Sequence, residues 1–377
     1  MNKIQLNLRL AAAAIVIAIA VVFQASADAA DQLLTKVRFG VAPYQDTLLP
    51  LLGSDKYLKL YRQEGLDVEF KILALDEIRE SLAAGQLDVT INEMSAIICA
   101  HNKQPDLVFW YGFNTFDNGF ALMIRTNSGI KSVSDFEKEL GDHQKAVVAA
   151  AKQLKGKTVI TTGNSDFEMA VAMAATRGGL NYSKGDKSDV RIFDLPPDDG
   201  LAAFLSGKGD AYLGGIPQRT RAGKEGMVEM MSGLDLGAAP INGLCTTKSF
   251  DTAHHEIMLK LLKVWFEIVN YAEKNPDQAG AQIAGLLNER TGAQFTVDDF
   301  KHFWQHYEHY PLSPREIQVD ILSDSGSNYW KSRWDNCNDF FCGLIKIIPN
   351  SVQPEGAFLM QSAQDDYVRK YGNERPK

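Results

Sequence analysis

Cysteine is scarce, with four in 377 residues, which is too few for a disulfide-dense scaffold. No block of Lys or Arg occurs, and 39 Lys plus Arg against 47 Asp plus Glu leave a net charge of −8. An acidic chain without a basic footprint is not expected to bind nucleic acid. Gly-x-Ser-x-Gly is absent, so the nucleophile elbow of the hydrolases is missing. The Gly214-Gly215 stretch matches no phosphate-binding fingerprint. Low-complexity tracts are also lacking. What remains is ordinary globular composition: 45% hydrophobic, 23% charged and 10% aromatic residues. The length suggests about two domains.

The N-terminus reads as an address label. Lys3 and Arg9 stand without an acid in the first nine residues, and an almost entirely apolar run of 14 residues follows at 10–23. Ala25-Ser26-Ala27 then supplies a small-x-small cleavage signal, completing the layout of a secretory signal peptide over residues 1–27. The run is too short to cross a hydrocarbon core of about 30 Å. No Cys lies near the cut to carry a lipid. The expectation is a soluble protein exported to the periplasm, where disulfides can form. Cys337 and Cys342, with four residues between them, are read as a local disulfide rather than half a zinc site, since no second Cys or His pair is near. Cys99 and Cys245 have apolar neighbours and read as free buried thiols.

From residue 36 onward, strand-like and helix-like segments alternate, which indicates parallel α/β sheets. Strands are predicted at 36–42, 67–72 and 87–91, with helices at 48–62 and 75–84. The order returns with strands at 157–161, 190–193 and 211–213 and helices at 166–177 and 200–205. One offset of 122 lays Val37 on Val159, Asp67-Val68 on Asp189-Val190, and Asp88 on Asp210. The chain therefore builds two similar lobes. Residues 134–154 read as a helical insertion, and 357–371 as an amphipathic stretch. Segments 119–126 and 237–247 are candidate crossovers, and helices at 252–273, 277–290 and 297–307 are expected to pack back on the first lobe. The division predicted is 28–122 with 247–377 as lobe 1, and 123–246 as lobe 2.

Four phrases carry a family resemblance: Tyr61-Arg-Gln-Glu-Gly-Leu-Asp-Val-Glu69, Ser81-Leu-Ala-Ala-Gly-Gln-Leu-Asp-Val89, Leu154-Lys-Gly-Lys-Thr158 and Ala203-Phe-Leu-Ser-Gly-Lys-Gly-Asp-Ala211. In order and spacing the chain resembles the periplasmic solute-binding proteins of the nitrate, sulfonate, taurine and thiamine-precursor group. The resemblance implies a two-lobe, type II periplasmic binding protein fold with two hinge crossovers. It further implies a non-catalytic role as the capturing component of an ABC importer, with permease and ATPase subunits as partners, a small-molecule ligand, no cofactor, and a monomer. The phrases do not specify the ligand. Two enzymatic relatives, a pyrimidine-precursor synthase with a cysteine cluster and a desulfinase with a cleft cysteine, have no counterpart pattern here. A ligand-sensing subunit of a membrane receptor is the remaining alternative.

Ligands of open α/β sheets sit beyond the carboxyl ends of the strands. That rule points to the loops bearing Tyr44, Gln45 and Asp46; Asn92 and Glu93; Asn114, Phe116 and Asp117; Asn164, Ser165 and Asp166; and Ile216. Four carboxylates and few cations suit a cationic amine, a taurine- or sulfonate-like zwitterion, or a pyrimidine better than a bare inorganic anion. Arg219 is the nearest cation. Asp46, Ser165 and Asp166 are equally suited to helix capping, and Tyr44 and Phe116 to the core. His302 and His306 share a helix face, but interleaved aromatics favour packing over metal binding.

Overall fold

The computed structural model describes residues 34–376 apart from 117, 186 and 238–239. The signal peptide expected at 1–27 and the candidate Asp117 lie outside the described residues. Ten strands are found among them: β1 (Thr35–Val41), β2 (Leu66–Ile72), β3 (Val89–Glu93), β4 (Leu107–Thr115), β5 (Ala121–Arg125), β6 (Thr158–Thr161), β7 (Arg191–Asp194), β8 (Ala211–Gly214), β9 (Met227–Ser232) and β10 (Ile241–Thr247). They form two five-stranded sheets of matching design, β2-β1-β3-β10-β4 and β7-β6-β8-β5-β9. In each, three strands pair in parallel and the fourth position is filled by an antiparallel strand. β5 enters the second sheet directly after β4 leaves the first, and β10 returns to the first directly after β9. This is the type II two-lobe architecture.

The predicted crossover segments thus prove to be strands. The chain changes sheet at 116–120 and 233–240, and residues 241–246, read as second-lobe from sequence, pair with β3 and β4 of the first sheet. Crossovers and strands look alike in sequence, because both are short, extended and apolar.

The two aspartates that the offset of 122 superposes play the same part, although their partners Arg38 and Thr158 lie 120 apart. Asp88 Oδ2 accepts the backbone N–H of Arg38 at 2.8 Å, while its own N–H donates to the Arg38 carbonyl. Asp210 does the same with Thr158, accepting its N–H at 2.8 Å and donating back. Each aspartate clamps its sheet's central parallel strand one residue before that strand pairs with β3 or with β8, at Arg38 in the middle of β1 and at Thr158, the first residue of β6. Arg38 also grips Asp88 through its guanidinium, with Nε donating at 3.1 Å. Removing either carboxylate orphans a backbone donor, so Asp210→Ala is expected to cost about 1–3 kcal/mol, read as a lowered urea midpoint with an unchanged slope.

Three helices differ from expectation. Residues 48–62 do not form one helix: Gln45–Leu48 is a single turn, Leu49–Gly53 tightens into a 3-10 turn, and Leu60–Gln63 forms a further turn. Pro50 removes a donor, and Lys59 sits at φ +57°, a left-handed conformation that ends continuity. The 134–154 insertion is two helices, Val133–Leu140 and His143–Lys152. Left-handed Gly141 separates them, and Asp142 caps the second by accepting from Lys145 N at 3.0 Å. The third, Lys248–Lys274, begins earlier than read and kinks at His254.

Lys248–Lys274, Pro276–Thr291 and Met360–Tyr371 pack on the first half. The outer edge of β4 is capped by the C-terminal segment, where Phe109 N donates to Ala357 O and Leu359 N to Phe109 O. Phe358 stacks on Trp330 at 4.0 Å between ring centres. Cys337 and Cys342 are free thiols, which corrects the disulfide expected between them. They lie on one continuous helical stretch, Trp330–Asn338 running on into a wider turn at Asp339–Leu344. Five residues of helix advance the backbone about 7 Å, past the Cα separations a disulfide spans. Among the described residues no helix is long and apolar enough to cross a membrane.

Candidate functional site

The carboxyl ends of β3 and β8, the turn after β1 and both sheet changeovers converge on one cavity. Its walls are Tyr44, Gln45, Asp46, Thr47, Glu93 and Asn242 from the first half and Phe167, Gly215 and Ile216 from the second. The changeovers add Phe116, Phe120 and Pro240, and the helix Val297–His306 adds Phe303. The space is narrow, with about 40 Å³ open to the centres of water-sized molecules. Aromatic contacts close it: Phe116 lies 5.1 Å from Phe120, Phe120 4.8 Å from Phe167, and Phe116 5.8 Å from Phe303. Through these rings one apolar core runs across both halves, while the second sheet keeps a smaller cluster of its own around Phe204 and Tyr212.

Most of the polar groups are deeply buried, while Glu93 is half-buried. Gln45 is 1% exposed and both atoms of its amide lack a partner. Asp46 accepts from Asn242 Nδ2 at 2.6 Å, and burial raises its carboxyl to about 6. Asn242 Oδ1 is unpartnered. Glu93 ends β3 and precedes the helix Met94–His101, yet its side chain makes no cap bond. Burial, with Asp166 and Asp46 nearby, lifts its carboxyl above the ordinary range, and Arg79 opposes this. Asp166, on the second-half helix Asp166–Arg177, accepts from Ser95 Oγ of the first half at 2.7 Å. Its Oδ1 has no partner, and burial raises it also. A second tie joins Lys224 to Asp299 at 2.7 Å. The halves are therefore closed on one another.

Of the residues chosen from sequence, Tyr44, Gln45, Asp46, Glu93, Phe116 and Ile216 line this cavity. Asp166 lines a smaller adjoining one, with Met94, Ser95, Arg333 and Cys337. The others are occupied elsewhere. Asn92 Oδ1 accepts from Glu93 N at 3.0 Å. Asn114, buried in β4, donates to Glu308. Asn164 is exposed at φ +56°, with Lys184 on its amide oxygen. Ser165 is a helix cap, donating to Thr162 O at 2.6 Å and accepting from Phe167 N at 3.2 Å. Arg219 does not reach the cavity: it donates to the carbonyls of Asn118, Gly119 and Phe120 and to Glu229, and it lies 3.9 Å over Tyr307. His302 Nε2 sits 3.0 Å from the Tyr307 hydroxyl.

Sequence reading missed Thr47, Phe120, Phe167, Pro240, Asn242 and Phe303. Asn242 carried a signal, since it follows Pro240 where the chain re-enters the first sheet, the strand end at which ligands gather. Phe303 carried none beyond its place in an aromatic helix.

The sequence model of the NMT1-like family matches residues 31–288. No curated protein matches the chain. Among solved structures, the chain is similar to the periplasmic aliphatic sulphonate-binding protein SsuA of Escherichia coli, at 17% identity and a TM-score of 0.66, covering 88% of this chain and 99% of that one. The periplasmic nitrate-binding protein NrtA of Synechocystis PCC 6803 is similar at 13% identity and TM-score 0.64, over 90% and 89%. The alkanesulfonate-binding SsuA of Xanthomonas axonopodis pv. citri, bound to MOPS, is similar at 17% and 0.60, over 86% and 97%.

Proposed function

This chain belongs to the NMT1-like family, and from that premise we propose that it is the substrate-capturing component of an ABC importer in the periplasm. It would hold a small organic nitrogen- or sulfur-containing nutrient between its two halves and hand it to a permease and ATPase. The signal-peptide pattern at residues 1–27 supports export. The observation that carries the reading is the cavity shared by both halves, into which Gln45 presents an amide with neither atom satisfied. A buried amide without partners costs free energy, and a ligand spanning the halves would supply them. By preferring the closed arrangement, that ligand would shift the open–closed balance.

The lining favours an organic ligand over a bare inorganic anion. Five aromatic rings face the space, and among the described lining residues none is Lys, Arg or Cys. A nucleophilic thiol is thus missing from the wall, which supports binding rather than catalysis.

Gln45→Leu, of similar volume, tests this. Affinity for the ligand that co-purifies, identified by native mass spectrometry, is expected to fall at least tenfold. Stability of the empty protein should not fall, because an unsatisfied amide is removed. Unchanged affinity would take Gln45 out of the site. A protein that carries no ligand and responds to none in a thermal-shift panel of taurine, alkanesulfonates, pyrimidines, amines and nitrate would refute the reading. A true ligand at 100 times its Kd should stabilise by about 2.7 kcal/mol.

A further inference from the structure

Resting on the binding reading above, we infer that the cavity takes a protonated amine with an apolar body, its ammonium held by Asp46 and Glu93 with Asp166 behind. The carboxylates come from both halves: Asp46 and Glu93 from the first, Asp166 from the second. Closing the halves presses Asp166 onto Ser95, within electrostatic reach of Glu93. Like charges brought together away from water repel strongly. Closure of the empty cavity therefore needs protons on these groups, and closure around a cation does not.

Two further observations point to a ligand rather than to a merely acidic patch. Gln45, 1% exposed and lining the same space, has both amide atoms free. Asn242 holds Asp46 through its Nδ2 and leaves its Oδ1 unused. Amide and carboxylate oxygens together are the acceptors that a three-donor ammonium requires. Around them stand Tyr44, Phe116, Phe120, Phe167 and Phe303, whose ring faces attract cations and whose bodies cover an apolar stem.

The charged surroundings are mixed but do not reverse this. Arg79, from the helix Leu75–Ala83, acts on Glu93 from outside the cavity lining, and Cys245 of β10 lies near Glu93 as a buried thiol. Near Asp46 stand Asn242 and the Tyr310 hydroxyl. Beyond Asp166 lie Cys99, Cys337 and Arg333, the last two on the adjoining cavity. With all three carboxyls lifted above the ordinary range, a cation would displace protons from them. Its affinity should then rise with pH while the amine itself stays charged, as alkylamines do below about pH 10.

The test is calorimetric titration of the full mature chain, after unfolding and refolding to strip carried ligand. Probes are n-butylamine and benzylamine, against butyrate, benzoate and benzyl alcohol as matched anionic and neutral bodies. The amines are expected to bind at least tenfold tighter than their partners, and at least tenfold tighter at pH 8 than at pH 5.5. Glu93→Gln and, separately, Asp166→Asn should each cost the amines tenfold or more and flatten the pH profile. Tighter binding of butyrate or benzoate overturns the cation assignment while leaving the binding-protein reading intact. Equal binding of amine and alcohol also overturns it. If none of these probes binds while the co-purified ligand does, and that ligand lacks a protonated nitrogen, the assignment falls as well. If neither probe nor co-purified ligand exists, the reading beneath it fails.

Discussion

Gly243→Ala is expected to cost more than about 4 kcal/mol, the range reached only when something in the core must move, and to take ligand binding with it. Gly243 lies in β10, paired with Asn92 of β3 on one side and Gly112 of β4 on the other. A Cβ there would stand 2.1 Å from the Tyr111 carbonyl oxygen and 2.8 Å from the Gly112 Cα. Both are backbone atoms of the neighbouring strand, so no rotamer change can relieve the clash. The register already shifts between Asn242 and Gly243, and the local backbone has no slack left to absorb a methyl group. Displacing this strand would carry Asn242 off Asp46. Urea denaturation followed by circular dichroism measures the loss. Gly285→Ala is the control, exposed within the helix Pro276–Thr291 with nothing within 4 Å of its added Cβ. It should be neutral or stabilising by up to about 1 kcal/mol. A Gly243→Ala midpoint equal to wild type would show that β3, β10 and β4 are not packed as described.

Glu93→Gln should act in the opposite direction on stability. In the folded protein the Glu93 carboxyl is raised by burial and by Asp166 and Asp46, while in the unfolded chain it titrates near 4.3. The folded state therefore binds this proton more tightly. The stability linked to it is complete below the unfolded value and drains away as pH rises through the folded one. Asp46, raised to about 6, and Asp166, also raised, have the same sign. The ligand-free protein is thus expected to be more stable at pH 5 than at pH 8 as far as these groups decide, the reverse of a salt-bridged carboxylate. Gln cannot ionise. The variant should gain on the order of 1–3 kcal/mol at pH 8, gain almost nothing at pH 4.5, and have a shallower pH profile. Urea midpoints at pH 4.5, 6.5 and 8 measure this. Parallel profiles for variant and wild type would mean that Glu93 keeps its ordinary titration.

The outline of the fold was legible because it rests on local signals. Apolar strand runs and closing glycines each act over a few residues, and Asp88 and Asp210, legible as a repeat, clamp their sheets at equivalent places. The limits of local signal appear at Pro50 and Gly53, where helix-like periodicity hides a chain broken into turns. The site was legible where strand ends alone decide, as for Glu93, and at the turn holding Gln45 and Asp46. It was not legible where side chains have rival uses. Ser165 satisfies its own helix and Asn92 its own next amide, and loop position cannot tell such residues from ones left free. Asn242 and Phe303 meet Asp46 and Phe116 across long separations in sequence, and only tertiary packing sets such meetings.

The antiparallel strand in the fourth position of each sheet has a consequence for biogenesis. A chain made from its N-terminus has β1 to β4 long before β10, so until residue 247 is made a vacant slot separates β3 from β4. The first half cannot complete itself early, and the second depends on β5, which is tethered to β4. The second sheet, whose last strand ends at Ser232, therefore has all five of its strands before the first sheet has its own.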